Sequence, residues 1–114
     1  MASTFKVKTH RLIGTTATTV NSYSVAASTT TTVIGLTLAN RTNGPITADA
    51  MHNDGVGAAG KDTYLIYKAP IPSGGALVVV GGEQKVVLQN AHSVTCVSNT
   101  ATSLDVTMSI LELT

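Results

Sequence analysis

Charge is what this sequence most lacks. Only 11% of its 114 residues are Asp, Glu, Lys or Arg, against about 25% in an average globular chain. A monomer so poorly supplied cannot wet its whole surface or keep its strand edges apart by charge. The net charge of +1 gives no field to steer nucleic acid, so that partner is excluded. Tryptophan is absent, and the tyrosines are Tyr23, Tyr64 and Tyr67, which leaves a carbohydrate site little to build on. The one cysteine, Cys96, has no partner within the chain. It sits in the alternating run Ser93-Val94-Thr95-Cys96-Val97 and reads as a small buried hydrophobe. One unpaired thiol accords with a reducing compartment. No run approaches the roughly 18 apolar residues of a membrane span. The N-terminus lacks an apolar core of signal-peptide length. Neither a membrane partner nor export is expected, so the sequon Asn40-Arg41-Thr42 reads as accidental.

What is abundant is threonine, 19 residues of it, interleaved with valine and isoleucine. The repeating unit is a short β-branched run ended by Gly, Pro, Asn or Ser about every ten residues. That pattern predicts an all-β fold, an antiparallel sandwich of immunoglobulin-like or jelly-roll-like kind with about eight short strands. At 114 residues it is one domain, with a core that needs no disulfide or metal staple. Strands are expected at 4–13, 16–25, 30–40, 46–51, 63–69, 76–80, 85–89, 93–97 and 104–113, and no helix. The run 30–40 reads as central, with Thr32, Ile34, Leu36 and Leu38 on one face and Thr31, Val33, Gly35 and Thr37 on the other. Asn43-Gly44-Pro45 is a turn. The two prolines in Ala69-Pro70-Ile71-Pro72-Ser73-Gly74-Gly75 predict a loop there. Gly81-Gly82 marks a bulge or tight corner.

Few residues invite a chemical reading. Gly55-Val56-Gly57-Ala58-Ala59-Gly60-Lys61 satisfies G-x-G-x-x-G and the opening of the phosphate-loop pattern. A phosphate loop needs a helix after it, so that helix N-terminal amides meet the anion. Here strand-like Thr63-Tyr64-Leu65-Ile66-Tyr67 follows, and Asp62 stands where a hydroxyl should hold magnesium. The segment reads as a glycine loop. His52, Asp54 and Asp62 flank it, with Asp49 just before. Their spacing matches neither H-x-x-x-H nor a calcium loop, so they read as polar punctuation. His10 and His92 are isolated and expected at solvent edges. No nucleophile elbow is present. No cofactor and no metal are implied, and an enzyme is the least favoured class. In an extended strand Lys6, Lys8 and His10 share one face and Arg11 takes the other. The N-terminal residues 1–13 therefore read as an arm reaching a neighbour or as an edge strand. The candidate interface residues are Phe5, Lys6, Lys8 and Arg11 of this segment, with Met51, His52 and Val56 around the glycine loop.

Three stretches resemble a family of small structural proteins of tailed bacteriophages. These are Thr32-Val33-Ile34-Gly35-Leu36-Thr37-Leu38-Ala39-Asn40, the run from Ala69-Pro70-Ile71-Pro72 through Gly81-Gly82-Glu83-Gln84-Lys85 to Leu88, and Met108-Ser109-Ile110-Leu111-Glu112-Leu113-Thr114. The Pro-Ile-Pro…Gly-Gly…Gly-Gly-x-Gln-Lys segment is the most specific. The likeness spans residues 16 to 114, and Asn90-Ala91-His92 departs from the Gly-Asp-like turn common in the family. It implies a non-enzymatic virion component made in the bacterial cytoplasm. The favoured role is capsid decoration (cement), as a homo-oligomer, trimeric for preference, seated on the major capsid protein or another virion protein. A tail, neck or fibre-attachment adaptor is the alternative within the same class. A sugar-binding module on the virion surface is the alternative from another class.

Overall fold

The computed structural model describes residues 2–54, 62–81 and 83–114. Within these described residues nine strands follow one another: β1 (Ser3–Ile13), β2 (Thr18–Thr19), β3 (Thr30–Asn40), β4 (Ile46–Asn53), β5 (Asp62–Ile71), β6 (Ala76–Val80), β7 (Val86–Leu88), β8 (Ser93–Ser98) and β9 (Leu104–Leu113). All pairings are antiparallel. One sheet runs β1-β9-β3-β6, with β7 also on β3, and the other runs β2-β8-β4-β5. The shortest dimension of the molecule is 20 Å, the depth of two sheets stacked about 10 Å apart with their outward side chains. The all-β sandwich expected from the sequence is the observed architecture.

The core lies between the sheets and is aliphatic: Val33, Leu36 and Leu38 of β3 face Ala48 and Ala50 of β4 and Cys96 of β8, all essentially without solvent contact. Fully burying one such Leu or Val contributes about 2 kcal/mol, before conformational entropy is set against it. Small Ala48 and Ala50 let the sheets approach across the middle.

The sequence pattern misassigned the faces of β3. Its register against β9 shifts between Val33 and Gly35, because Ile34 is an extra residue opposite the Ile110–Ser109 step. A bulge of this kind reverses which parity faces inward. Thr31 and Val33 point inward before it; Leu36, Leu38 and Asn40 point inward after it. Thr32 and Ile34 lie on the opposite side from Leu36.

Two further expectations fail for stated reasons. Of the strand expected at 16–25 only Thr18–Thr19 pairs, with β8. Val20–Ser22 forms a 3-10 turn with Asn21 at φ 53°, a left-handed conformation that asparagine tolerates better than most residues. The expected loop at 69–75 begins late, since β5 continues through Pro70, opposite Thr47, to Ile71. β5 is the sheet edge, where a missing ladder donor is harmless. The turn proper is Pro72–Gly75, closed by the Gly75 amide donating to Pro72 O at 2.9 Å, with Gly74 at φ 70°.

Asn40, at the end of β3, is 4% exposed and ties two turns together. Its Nδ2 donates to the carbonyls of Gly44, Ile71 and Pro72, and its Oδ1 accepts from Thr42 N and Thr42 Oγ1. A buried amide committed in this way cannot carry a glycan, so the sequon is accidental in structural terms as well.

Candidate functional site

Directly opposed residues in a ladder put their side chains on the same face. The registers of β1, β9, β3, β6 and β7 therefore give the outer face of the five-stranded sheet row by row. One row is Phe5, Leu111, Thr32 and Val87; the next is Val7, Ser109 and Gly35; a third is Thr9, Thr107, Thr37 and Val78. No ionisable side chain stands in these rows. The face is bounded at one end by Asp105, which accepts from Leu12 N at 3.1 Å and from Arg41 Nη1 at 3.5 Å. Its apolar members at the two sheet edges are strongly exposed: Phe5 73%, Val7 60%, Val78 65% and Val87 51%. Exposed apolar groups set in a hydroxyl-rich, charge-free sheet mark a contact surface.

On β1 the usual polarity is inverted. Phe5 and Val7 face outward, while Lys6, Lys8 and His10 lie opposite Ile110, Met108 and Val106 on the side of the sheet that faces the core. The 20–23 turn covers that side. Lys6 Nζ is 2.8 Å from Glu112 Oε1. Tyr23 Oη donates to Glu112 Oε2 at 2.6 Å and meets Thr31 Oγ1 at 2.7 Å. Lys8 Nζ lies 5.0 Å above the Tyr23 ring, within cation–π range. The Lys6 ammonium and the Tyr23 hydroxyl hold the Glu112 carboxyl below its usual range. Burial, with Glu112 beside it, pushes the Tyr23 phenol up to about 12. Turned to this side, the lysines leave the outer face of β1 free of charge.

The remaining candidates scatter. Arg11 lies in the irregular stretch between His10 and Ile13, where Leu12 has φ 61°, and it is exposed. Met51 is 5% exposed and offers no surface to a partner. Met51 and His52 belong to β4 in the other sheet, away from the Phe5 group. Val56 and the glycine motif 55–61 lie outside the described residues. Asp62 Oδ1 accepts from Asn53 Nδ2 at 2.8 Å, and Asp49 Oδ1 accepts from Lys68 N. Among the described residues no three His, Cys, Asp or Glu side chains converge as a metal site.

The histidines correct the expectation of isolated solvent-edge residues. His52 Nε2 and His92 Nδ1 are 2.9 Å apart, with the rings edge to face. Strand β4 and the turn before β8 bring them together over 40 positions of sequence, a separation no local pattern reveals. Burial first, then the neighbouring His92, lowers the His52 pKa, while Asp54 raises it. His10 Nδ1 accepts from the Asn21 amide at 2.9 Å. Cys96 is fully buried, and burial pushes its thiol up to about 12, as the sequence implied. Tyr64 and Tyr67 stand exposed on β5, their rings 4.8 Å apart and edge to face.

Neither a protein-family model nor a curated protein matches the chain. Among solved structures, a chain from the Bacillus endospore appendages, described as disulfide-linked pili, superposes with a TM-score of 0.56 and 14% identity, over 99% of this chain and 87% of that one. A chain from the infectious bursal disease virus Gx strain aligns with a TM-score of 0.41 and 14% identity, over 96% of this chain and 33% of that one. The first likeness is one of fold. The sole cysteine of the present chain, Cys96, is buried inside β8.

Proposed function

We propose that this chain is a non-enzymatic structural protein of a virus particle, with capsid decoration as its role. The observation that carries the reading is the charge-free outer face of the five-stranded sheet, with Phe5, Val7, Val78 and Val87 exposed on it. The resemblance of residues 69–88 and 108–114 to phage structural proteins supports the same class. A sandwich fold shared with a pilus chain accords with a structural role in general. The mechanism is mechanical. A subunit that docks across several shell proteins buries area available only in the assembled shell, and mass action then stabilises that shell. Hydroxyl-rich strands suit wet contacts that need no charge.

The test is saturable binding of the purified protein to mature, expanded shells against unexpanded precursors, with microscopy of intact virions to locate it. Binding to mature shells alone, and density on the head, is the expected result. Density at the neck or tail, with no shell binding, replaces decoration by the adaptor role. Exposed Tyr64 and Tyr67 are the feature among the described residues that favours sugar binding. Their edge-to-face arrangement gives no flat double platform, and glycan binding abolished by Tyr67→Ala would establish that reading instead.

A further inference from the structure

The edge strand β1 has free backbone groups that can be assigned residue by residue. Ala2 and Thr114 exchange both of their backbone hydrogen bonds, at 3.1 and 2.9 Å. In an antiparallel ladder such pairs alternate with pairs whose N–H and C=O point away from the partner strand. The β1–β9 register runs without a shift from Ser3–Leu113 to His10–Val106. Thr4, Lys6, Lys8 and His10 therefore bond to β9, while Ser3, Phe5, Val7 and Thr9 turn their N–H and C=O outward. Thr9 confirms the parity, since its carbonyl accepts from Asn21 Nδ2 at 3.0 Å and is thereby capped. Among the described residues nothing pairs with the outward groups of Ser3, Phe5 and Val7, because β1 ends its sheet.

The other sheet ends are blunted. β2 has two residues, and β6 and β7 are separate short segments along β3. β5 carries Pro70 and two register shifts. β1 alone is long and regular, and its free window, Ser3 to Val7, is centred on Phe5.

We propose that this window pairs with the same window of a second copy, antiparallel, with a two-fold axis at Phe5. Of the registers that match outward groups with outward groups, the one centred on Phe5 places Phe5 opposite Phe5, Ser3 opposite Val7 and Thr4 opposite Lys6. All three outward residues of each copy are then used. Centring between Phe5 and Val7 would set Lys6 against Lys6, and centring on Val7 would set Lys6 against Lys8. Both are like-charge pairs that cross-strand contact disfavours. In the chosen register each Lys6 lies diagonal to its counterpart, and its own Glu112 neutralises it. The capped Thr9 ends the ladder. Two outer faces fuse into one, with both Phe5 rings at its centre. An isologous edge of this kind closes at two copies. The pairing needs no shell, so its failure leaves the proposed function standing.

The test uses the full chain in the absence of particles. Opposed residues of a hydrogen-bonded pair stand about 5.5 Å apart at Cα, with Cβ atoms nearly as far apart, a gap that a short bis-maleimide linker spans. Phe5→Cys should therefore be joined by that linker into a covalent dimer of twice the 11.7 kDa protomer, and Val7→Cys should not, while Cys96 stays buried. Val7→Pro removes only an outward N–H, twice per dimer. It should keep the β-sheet circular dichroism of the wild type and weaken dimerisation about tenfold or more by sedimentation. Lys6→Pro removes an inward N–H and should lower the melting temperature instead. Phe5→Cys left monomeric by the linker overturns the pairing. So does an unweakened Val7→Pro dimer, or a wild-type mass of three protomers.

Discussion

Removing a single hydroxyl, by Tyr23→Phe, tests how the inward charges of β1 are held. Tyr23 Oη donates to Glu112 Oε2 at 2.6 Å and meets Thr31 Oγ1 at 2.7 Å. With its own hydrogen on Glu112, the phenol accepts the Thr31 proton. A hydrogen bond to a charged group contributes about 1.5–3 kcal/mol. Thr31 is 0% exposed, so its orphaned hydroxyl adds about 1 kcal/mol. Glu112 keeps Lys6 as a partner at 2.8 Å, which offsets part of the loss. The expected net cost is about 2–3 kcal/mol, or a melting temperature lower by about 10 °C for a domain of this size. Urea and thermal unfolding read it directly. The double variant Tyr23→Phe with Thr31→Val should recover about 1 kcal/mol, because replacing both partners by apolar groups leaves no orphan. A Tyr23→Phe protein within about 0.5 kcal/mol of wild type, or no recovery in the double variant, would refute the reasoning.

Three other outcomes are expected. The lowered His52 pKa means that the folded chain binds a proton less readily than the unfolded one. The stability tied to a neutral His52, from its burial first and from His92 second, is therefore full above about pH 6.5 and falls as pH drops through the lower folded pKa. His92→Gln should lessen that fall without abolishing it, since the burial of His52 and Asp54 both stay in place. Cys96, buried and with its thiol pushed up to about 12, should react with a thiol reagent only at the rate of global opening; fast labelling of native protein would contradict its placement. Gly14→Val should cost about 1–3 kcal/mol, because an added Cβ would lie 3.1 Å from Thr102 N and 3.2 Å from Ala101 Cα, both backbone. A neutral result in denaturant titration would mean that the 99–103 turn yields freely.

Fold class and most strand positions were legible because alternation and turn residues act locally. The run 104–113 and the run 30–40 were found with the bounds the structure gives. The faces of β3 were not, since the bulge at Ile34 depends on what lies opposite it in β9. Pro70 misled for a related reason. Proline excludes a central strand, and only topology reveals that β5 is an edge. At the N-terminus the alternation of Phe5, Val7, Lys6 and Lys8 was plain, yet which set faced outward was not. The covering turn made the inward side polar: Tyr23 and Glu112 receive the lysines there, and they come from positions 89 residues apart. Asn21 carried a weak local signal, as a residue type that accepts positive φ. The His52–His92 contact carried none.

The central claim is that the charge-free face of the five-stranded sheet is a contact surface. Its most direct test is Thr37→Lys together with Thr107→Lys, neighbours in one outward row, measured for binding to assembled particles beside the wild type. Both positions project from the sheet away from the core, so the opposed lysines should cost about 1 kcal/mol or less and leave the fold intact, while binding is lost. Undiminished binding with two lysines planted there would contradict the account.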